Sequence, residues 1–244
     1  MIAARVAIED LHVWREDGLG GEPREVVHGI SATIEAGRRV ALVGANGAGK
    51  TSLLLALVGA VRFSGRIAVD DLSLEKKTLA AFRARIGFVF AEPADQLFLP
   101  SVLEEAAFAP KRRSLPEPLS LARAALGRVG LAEMEARAPS SLSLGEQRRL
   151  ALATVLSAEP GVLLLDEPTA SLDARARRAV LGAVRDTRAT TLFATHDLEA
   201  ALELDADVLV IGAGRLVGHG PAREVLADAE LLDAANLDVP ASLA

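Results

Sequence analysis

Gly44-Ala-Asn-Gly-Ala-Gly-Lys-Thr51 has the spacing G-x-x-x-x-G-K-T, and its flanks decide how it reads. Val40-Ala-Leu-Val43 before it is a short apolar run suited to a buried strand, and Ser52-Leu-Leu-Leu-Ala-Leu-Val58 after it suits a helix. A strand, a glycine-rich turn and a helix start in that order make a phosphate-binding loop. A helix start presents unpaired N–H groups and partial positive charge, so it holds phosphate oxygens. Gly44, Gly47 and Gly49 let the backbone wrap closely, with Ala45, Asn46 and Ala48 between them. Lys50 is expected to reach the β- and γ-phosphates and the Thr51 hydroxyl to bind Mg²⁺, while Ser52 completes the nucleotide-binding set.

Around this loop the 244 residues suffice for one large domain, or for a domain with an inserted subdomain. Half are hydrophobic but only 3% aromatic, so the core must be built from Leu, Val, Ile and Ala. A net charge of −6 argues against a nucleic-acid binder, which would carry a basic surface. Without cysteine there is no disulfide framework and no thiolate chemistry. No apolar run approaches the roughly 18–20 residues that span a bilayer, and the N-terminus lacks the basic-then-apolar layout of a signal peptide. The expected location is the cytoplasm, with any membrane role coming through a partner.

Along the chain, residues 5–13 read as a strand with Val6, Ile8 and Leu11 inward, followed by a loop at 16–23 containing Gly18, Gly20 and Gly21. Residues 26–34 alternate as a half-buried strand and 35–37 turn into the strand before the phosphate loop. Strands are predicted at 65–69 and 86–90, with a charged helix over 74–85 between them. Prolines then break residues 91–141 into short helical pieces, one opening at the S-x-x-E of Ser101 and one covering 119–129. The strand pattern returns at 161–165, 190–194 and 207–211, with an Arg-rich helix over 174–186. Past residue 212 come a turn, a short strand-like 215–217 and a helix entered through Pro221. This alternation predicts an α/β fold with a mainly parallel sheet. The expected division is a nucleotide-binding α/β core over 1–90 and 142–211, an inserted helical subdomain over 91–141, and a tail over 212–244.

Two further stretches carry chemistry. Val162-Leu-Leu-Leu-Asp166-Glu167-Pro168 is an apolar strand ending in two carboxylates. Asp166 would stand beside the Mg²⁺, and Glu167 would polarise an attacking water as a general base. Leu142-Ser-Leu-Gly-Glu-Gln-Arg-Arg149 opens a second helix, with Ser143 where a cap belongs and Gly145 allowing close backbone approach.

The phosphate loop, L-S-x-G-E-Q-R-R, L-L-L-D-E-P, Ser171-Leu-Asp173 and Thr195-His196-Asp197 stand in the order of an ABC-type ATPase, and the chain resembles that family over nearly its whole length. The resemblance implies a P-loop NTPase core with an N-terminal antiparallel β-subdomain and an inserted α-helical subdomain. Within the family the chain is similar to the ATPase subunits of energy-coupling factor (ECF) importers, including the cobalt/nickel importer ATPase. Glu92-Pro-Ala-Asp-Gln-Leu-Phe98, residues 101–110 and residues 214–226 carry that likeness.

The resemblance implies an ATP-hydrolysing subunit on the cytoplasmic face of the membrane, energising uptake of a metal ion or vitamin with ATP and Mg²⁺. A second ATPase subunit, identical or related, would close head to tail, setting Ser143 and Gly145 of one subunit against the ATP of the other. Asp173 would link the two sites, and His196 would contact the γ-phosphate. A membrane transport protein would dock in the groove near Leu97, Phe98 and Leu99. His12, His28 and His219 are read as surface or loop residues.

The chain departs from the family pattern at three places. Ala91 stands where a glutamine normally ligates Mg²⁺, which predicts weakened hydrolysis unless Glu92 or Gln96 substitutes. Leu144 replaces the first glycine of the signature. The adenine-stacking aromatic is Trp14 by chemistry, whereas alignment points to Arg15. A non-transport ABC ATPase acting on DNA or the ribosome, and a weakly hydrolysing regulatory partner, are the other readings.

Overall fold

The computed structural model describes residues 2–16 and 22–243. The loop expected around Gly18, Gly20 and Gly21 lies outside the described residues. The elements in chain order begin with β1 (Val6–Arg15), β2 (Arg24–Ile34), β3 (Arg39–Val43), α1 (Lys50–Leu57), β4 (Arg62–Val69) and β5 (Leu72–Ser73). Next come α2 (Leu79–Arg83), β6 (Ile86–Val89), α3 (Val102–Arg112), α4 (Pro118–Arg128), α5 (Leu144–Leu156), β7 (Val162–Asp166) and α6 (Ala174–Arg185). The series ends with β8 (Thr190–Ala194), α7 (Leu198–Glu203), β9 (Asp207–Gly212), β10 (Arg215–Pro221), α8 (Ala222–Val225) and α9 (Ala229–Ala234).

The strands form two sheets. One has the order β2-β1-β4-β5 and is antiparallel throughout. The other has the order β10-β9-β3-β8-β7-β6, parallel except for the β9–β10 hairpin at one edge. Side chains alternate across a strand, so each of the five parallel strands feeds two cores. Val40, Leu42, Leu164, Leu192 and Ile211 pack with α1 and the antiparallel sheet. Ala41, Val43, Leu163, Leu165, Phe193 and Val210 pack with α3, α4, α5 and α6 in the other. That second core runs without a break from Val102 in α3 through Leu126 in α4 to Leu150 in α5. Helices α3 and α4 are therefore joined to the sheet through α5.

Several expected elements shift. The helix over 74–85 shrinks to α2, because Thr78 hydroxyl bonds to the Ser73 and Glu75 carbonyls hold the preceding residues in a turn. The strand-like 215–217 extends to Pro221, because β10 pairs with β9 along its whole length. Helix α5 begins at Leu144, with Ser143 as the cap the sequence places there, because a full capping box between Ser143 and Glu146 starts it. At Ser101 only half the box forms. Its hydroxyl accepts from the Glu104 N–H at 3.3 Å and donates to the Glu104 carboxylate.

His12, His28 and His219 lie on strands, with His219 exposed as a surface residue and His12 and His28 half-buried. His12 and His28 both approach the Glu25 carboxylate, with Nδ1 at 2.6 and 3.2 Å.

Candidate nucleotide site

Parallel pairing brings the chemistry to one edge. Asp166 at the end of β7 lies beside Ala194 at the end of β8, and Ala194 lies beside Leu42 of β3. The Thr195 N–H continues the ladder to the Leu42 carbonyl at 3.1 Å. The phosphate loop, Asp166-Glu167 and Thr195-His196 thus leave neighbouring strands at their carboxyl ends, where open α/β sheets bind ligands. Strand β6 adds its own end, because Val89 pairs with Leu165 and Ala91 follows two residues later.

The loop is built to lie tight against its surroundings. A Cβ on Gly44 would sit 2.2 Å from the Ile211 carbonyl oxygen, and one on Gly49 would sit 2.7 Å from that of Val26. Gly49 is also the N-cap of α1 in a left-handed conformation, φ 103°. Lys50 is buried, and its ammonium donates to the Gly44 carbonyl at 2.8 Å and the Ala45 carbonyl at 3.2 Å. Burial lowers its pKa, while Glu167 and Asp166 pull it back up. The ammonium is held at the centre of the loop, in reach of any anion there. Asn46 and Gly47 are exposed at the crest and Ala48 is buried beneath it, while Ser52 is half-buried on the first turn of α1.

The Thr51 hydroxyl donates to Asp166 Oδ1 at 3.0 Å, which joins the two expected metal ligands across 115 residues of chain. Burial raises the Asp166 pKa, the Thr51 bond lowers it, and Glu167 raises it further. A bound cation is the natural relief for that carboxylate. Among the described residues no group of three or more His, Cys, Asp or Glu side chains could hold a metal ion. One hydroxyl and one carboxylate form the sparse protein set that suits Mg²⁺ carried on phosphate oxygens. The residues present therefore fit a nucleoside triphosphate with its Mg²⁺.

Glu167 and His196 face each other, with Nδ1 of the imidazole 2.7 Å from Glu167 Oε2. The His196 ring is exposed at 63% of its side chain, whereas Glu167 is largely covered at 19%. The Glu167 backbone has φ 49°, a region that costs a non-glycine residue about 1–3 kcal/mol. Its N–H donates to the Ala194 carbonyl at 2.9 Å, and its carbonyl accepts from Arg148 at 3.1 Å. Arg148 was not singled out in the sequence. It sits inside the Glu-Gln-Arg-Arg run of α5, so that helix braces the Glu167 main chain.

The structure places the remaining predicted residues apart from this edge. Ser143 and Gly145 open α5, with Glu146 accepting from the Ser143 N–H at 2.8 Å. Leu144 beside them is 43% exposed. Asp173 is exposed and caps α6, accepting from the Ala176 N–H at 2.8 Å, which lowers its pKa. Trp14 lies at the end of β1 with the Arg62 guanidinium 5.4 Å from its ring centroid. Trp14 and Arg15 line one shallow cavity with Ala60, Val61 and Arg62, and no phosphate-loop residue lines it. Gln96 is committed elsewhere. It accepts from the Phe90 N–H at 3.0 Å and donates to the Ala151 carbonyl and the Thr154 hydroxyl. That tether binds β6 to α5 and removes Gln96 as a stand-in at position 91.

Behind the same strand lies a groove of about 410 Å³, lined by Phe88, Phe98, Phe108 and Val155 and rimmed by Arg83 and Arg112. Phe98 is 67% exposed and meets Phe108 edge to face at 5.3 Å. Leu97 instead packs against the core, and neither it nor Leu99 lines the groove. The narrower apolar surface at Phe98 replaces the expected three-residue patch.

Comparison with known proteins agrees with this geometry. The family model described as ABC transporter matches residues 27–170. The nickel import ATP-binding protein NikO of Rhodobacter capsulatus is 40% identical over 227 residues, covering 86% of this chain and 89% of its own. The energy-coupling factor transporter ATP-binding protein EcfA of Methanosphaera stadtmanae is 36% identical over 224 residues, covering 88% and 81%. The solved structure of cbiO1 from Clostridium perfringens, described as part of the ABC transporter complex cbiONQ, superposes with a TM-score of 0.78. It is 32% identical and covers 95% of this chain and 94% of its own. The family match takes in both the phosphate loop and the Asp166–Glu167 strand end, so the chain belongs to the ABC transporter family as one of its ATP-binding subunits, an ATPase.

Proposed function

We propose that this chain is the ATP-hydrolysing subunit of an ECF-type importer that takes up a transition-metal ion, nickel or cobalt, or a vitamin. The observation that carries this reading is the apolar groove at Phe98, set against β6 directly behind the edge that bears Thr51, Asp166 and Glu167. It gives a membrane partner a place to feel the catalytic edge. The names of NikO and EcfA support the importer class. Among the described residues no helix is long and apolar enough to cross a membrane, so the membrane path is assigned to a partner. The chain then works at the cytoplasmic face.

In this reading Lys50 and the loop N–H groups bind the phosphates of ATP. Thr51 and Asp166 hold Mg²⁺, which when bound offsets phosphate charge. Glu167 takes the proton of the attacking water, with His196 fixing the carboxylate through the 2.7 Å contact. Ser143 and Gly145 of a second subunit complete the site, and Asp173 lies at that junction. Residues 1–90 and 142–211 form the ATP-binding unit, residues 91–141 the helical unit that moves with the partner, and residues 212–244 a tail. The test is co-expression with a candidate integral membrane transport protein. Phe98→Glu is expected to abolish co-purification, since it places a charge in an apolar dock, while Mg²⁺-ATP binding stays within about twofold. Retained co-purification counts against the dock.

Ala91 favours a second reading, a subunit that binds ATP and turns it over slowly. A methyl group cannot ligate Mg²⁺, and the Gln96 amide is tied to Phe90 and α5. A hydrogen bond to a charged group contributes about 1.5–3 kcal/mol. Ala91→Gln is therefore expected to raise Mg²⁺-dependent turnover about tenfold or more. Steady-state phosphate release checks this, and unchanged turnover would rule the effect out.

A further inference from the structure

One guanidinium holds both ends of the helix that follows His196. Arg177 lies on α6, one turn after Asp173, with its N–H bonded to the Asp173 carbonyl at 2.9 Å. Its side chain forks onto Asp197, with Nε 2.8 Å from Oδ2 and Nη2 3.2 Å from Oδ1. Its Nη1 reaches Glu203 at 2.5 Å. Asp197 is the N-cap of α7 and Glu203 is its last residue.

The same Asp197 Oδ2 accepts the Thr169 hydroxyl at 3.0 Å, and Asp197 Oδ1 accepts the Ala200 N–H at 3.1 Å. Thr169 follows Glu167 by two residues, and Asp197 follows His196 by one. Both halves of the Glu167–His196 contact are thus tied to a single carboxylate, which Arg177 meets with a bidentate pair. The pair is well covered, with side-chain exposures of 22% and 21%. Arg177 is driven to a more basic pKa by its bond to Asp197. Burial pushes the Asp197 pKa up, but the Arg177 and Thr169 bonds outweigh it and keep it low. The pair therefore stays charged across the neutral range.

We propose that Arg177 is a positioning residue for ATP hydrolysis. Through Asp197 it sets His196 opposite Glu167, and through α6 it links that setting to Asp173. The proposal rests on the reading of Glu167 and His196 given above. It makes Arg177 the mechanical connection between the end of the chain that faces a second subunit and the pair that handles the water.

The experiment is a double-mutant cycle on the full-length ATPase assembled with its partners. Arg177→Met keeps the length of the side chain and removes the fork. It is expected to lower kcat about 10- to 100-fold with KM and ATP affinity unchanged, as for a misplaced catalytic group. In a His196→Ala background the same substitution is expected to cost almost nothing further, since residues acting as a unit are non-additive. Should Arg177→Met fail to fold by thermal melting, Arg177→Lys, which keeps the charge but not the fork, carries the same cycle. An equal fold-loss in both backgrounds overturns the proposal and leaves the site reading intact. A His196→Ala variant with full turnover overturns both.

Discussion

Glu167→Gln is expected to lower ATP turnover about 10²- to 10⁴-fold, the usual contribution of a positioned general base. The amide keeps the shape of the side chain and can still meet His196 Nδ1, now 2.7 Å from Glu167 Oε2. It cannot take a proton from water. The backbone at Glu167 is held by Ala194 and Arg148 through main-chain atoms, so the strained φ of 49° does not depend on the carboxylate. Mg²⁺-ATP binding is expected to stay within about twofold, because Lys50, Thr51 and Asp166 are untouched. Single-turnover phosphate release with a parallel nucleotide-binding titration checks both halves. A variant that hydrolyses within threefold of the parent would remove Glu167 from the role of base.

The second large effect falls on binding. Lys50→Met keeps the apolar stem in its buried channel and removes the ammonium that now bonds the Gly44 and Ala45 carbonyls at 2.8 and 3.2 Å. Facing phosphate, each charge-assisted bond is worth about 1.5–3 kcal/mol. Losing two of them is expected to weaken ATP affinity at least 10²-fold. Stability without nucleotide should change little, since a charge held in a buried place is also removed. Calorimetric titration reads the affinity and thermal melting reads the fold. An affinity within threefold of the parent would show that the loop N–H groups alone hold the phosphates.

The two effects separate cleanly because they lie on different strands. Lys50 follows β3, and Glu167 follows β7, with β8 and its His196 between them. In the proposed reading, binding and proton transfer share one edge of the sheet but no side chain. Arg177 and Asp197 then supply the coupling between them and α6, and Ala91 stands at the end of β6 on the far side.

Much of this was legible in the chain. The run at 44–51 announces its strand, turn and helix because each glycine has a local steric reason and each flank a plain apolar pattern. Asp166 and Glu167 are legible for the same reason, as charges at the end of a wholly apolar strand. The start of helix α5 was legible at Ser143, although Leu144 to Arg149 is polar and shows no apolar period. Its start is set by the Ser143–Glu146 capping box, a signal present at S-x-x-E spacing. Helix α2 was overextended because charged residues at 75–77 read as helical, whereas one threonine hydroxyl turns the chain there. Leu97, Phe98 and Leu99 looked alike, and only packing told the half-buried Leu97 from the exposed phenylalanine.

The sequence by itself determined the family, the phosphate loop, the acidic strand end and the order of the motifs, because these depend on neighbours a few residues apart. Only the tertiary structure decided which distant groups meet. Thr51 reaches Asp166, His196 reaches Glu167, the Gln96 amide is tied between Phe90 and α5, and Arg177 clamps the helix after His196. The physical reason is that strand order and parallel register, not spacing along the chain, set which strand ends stand side by side. No local pattern distinguishes Arg177 from the other arginines of α6, since its role exists only once α6 and α7 have packed.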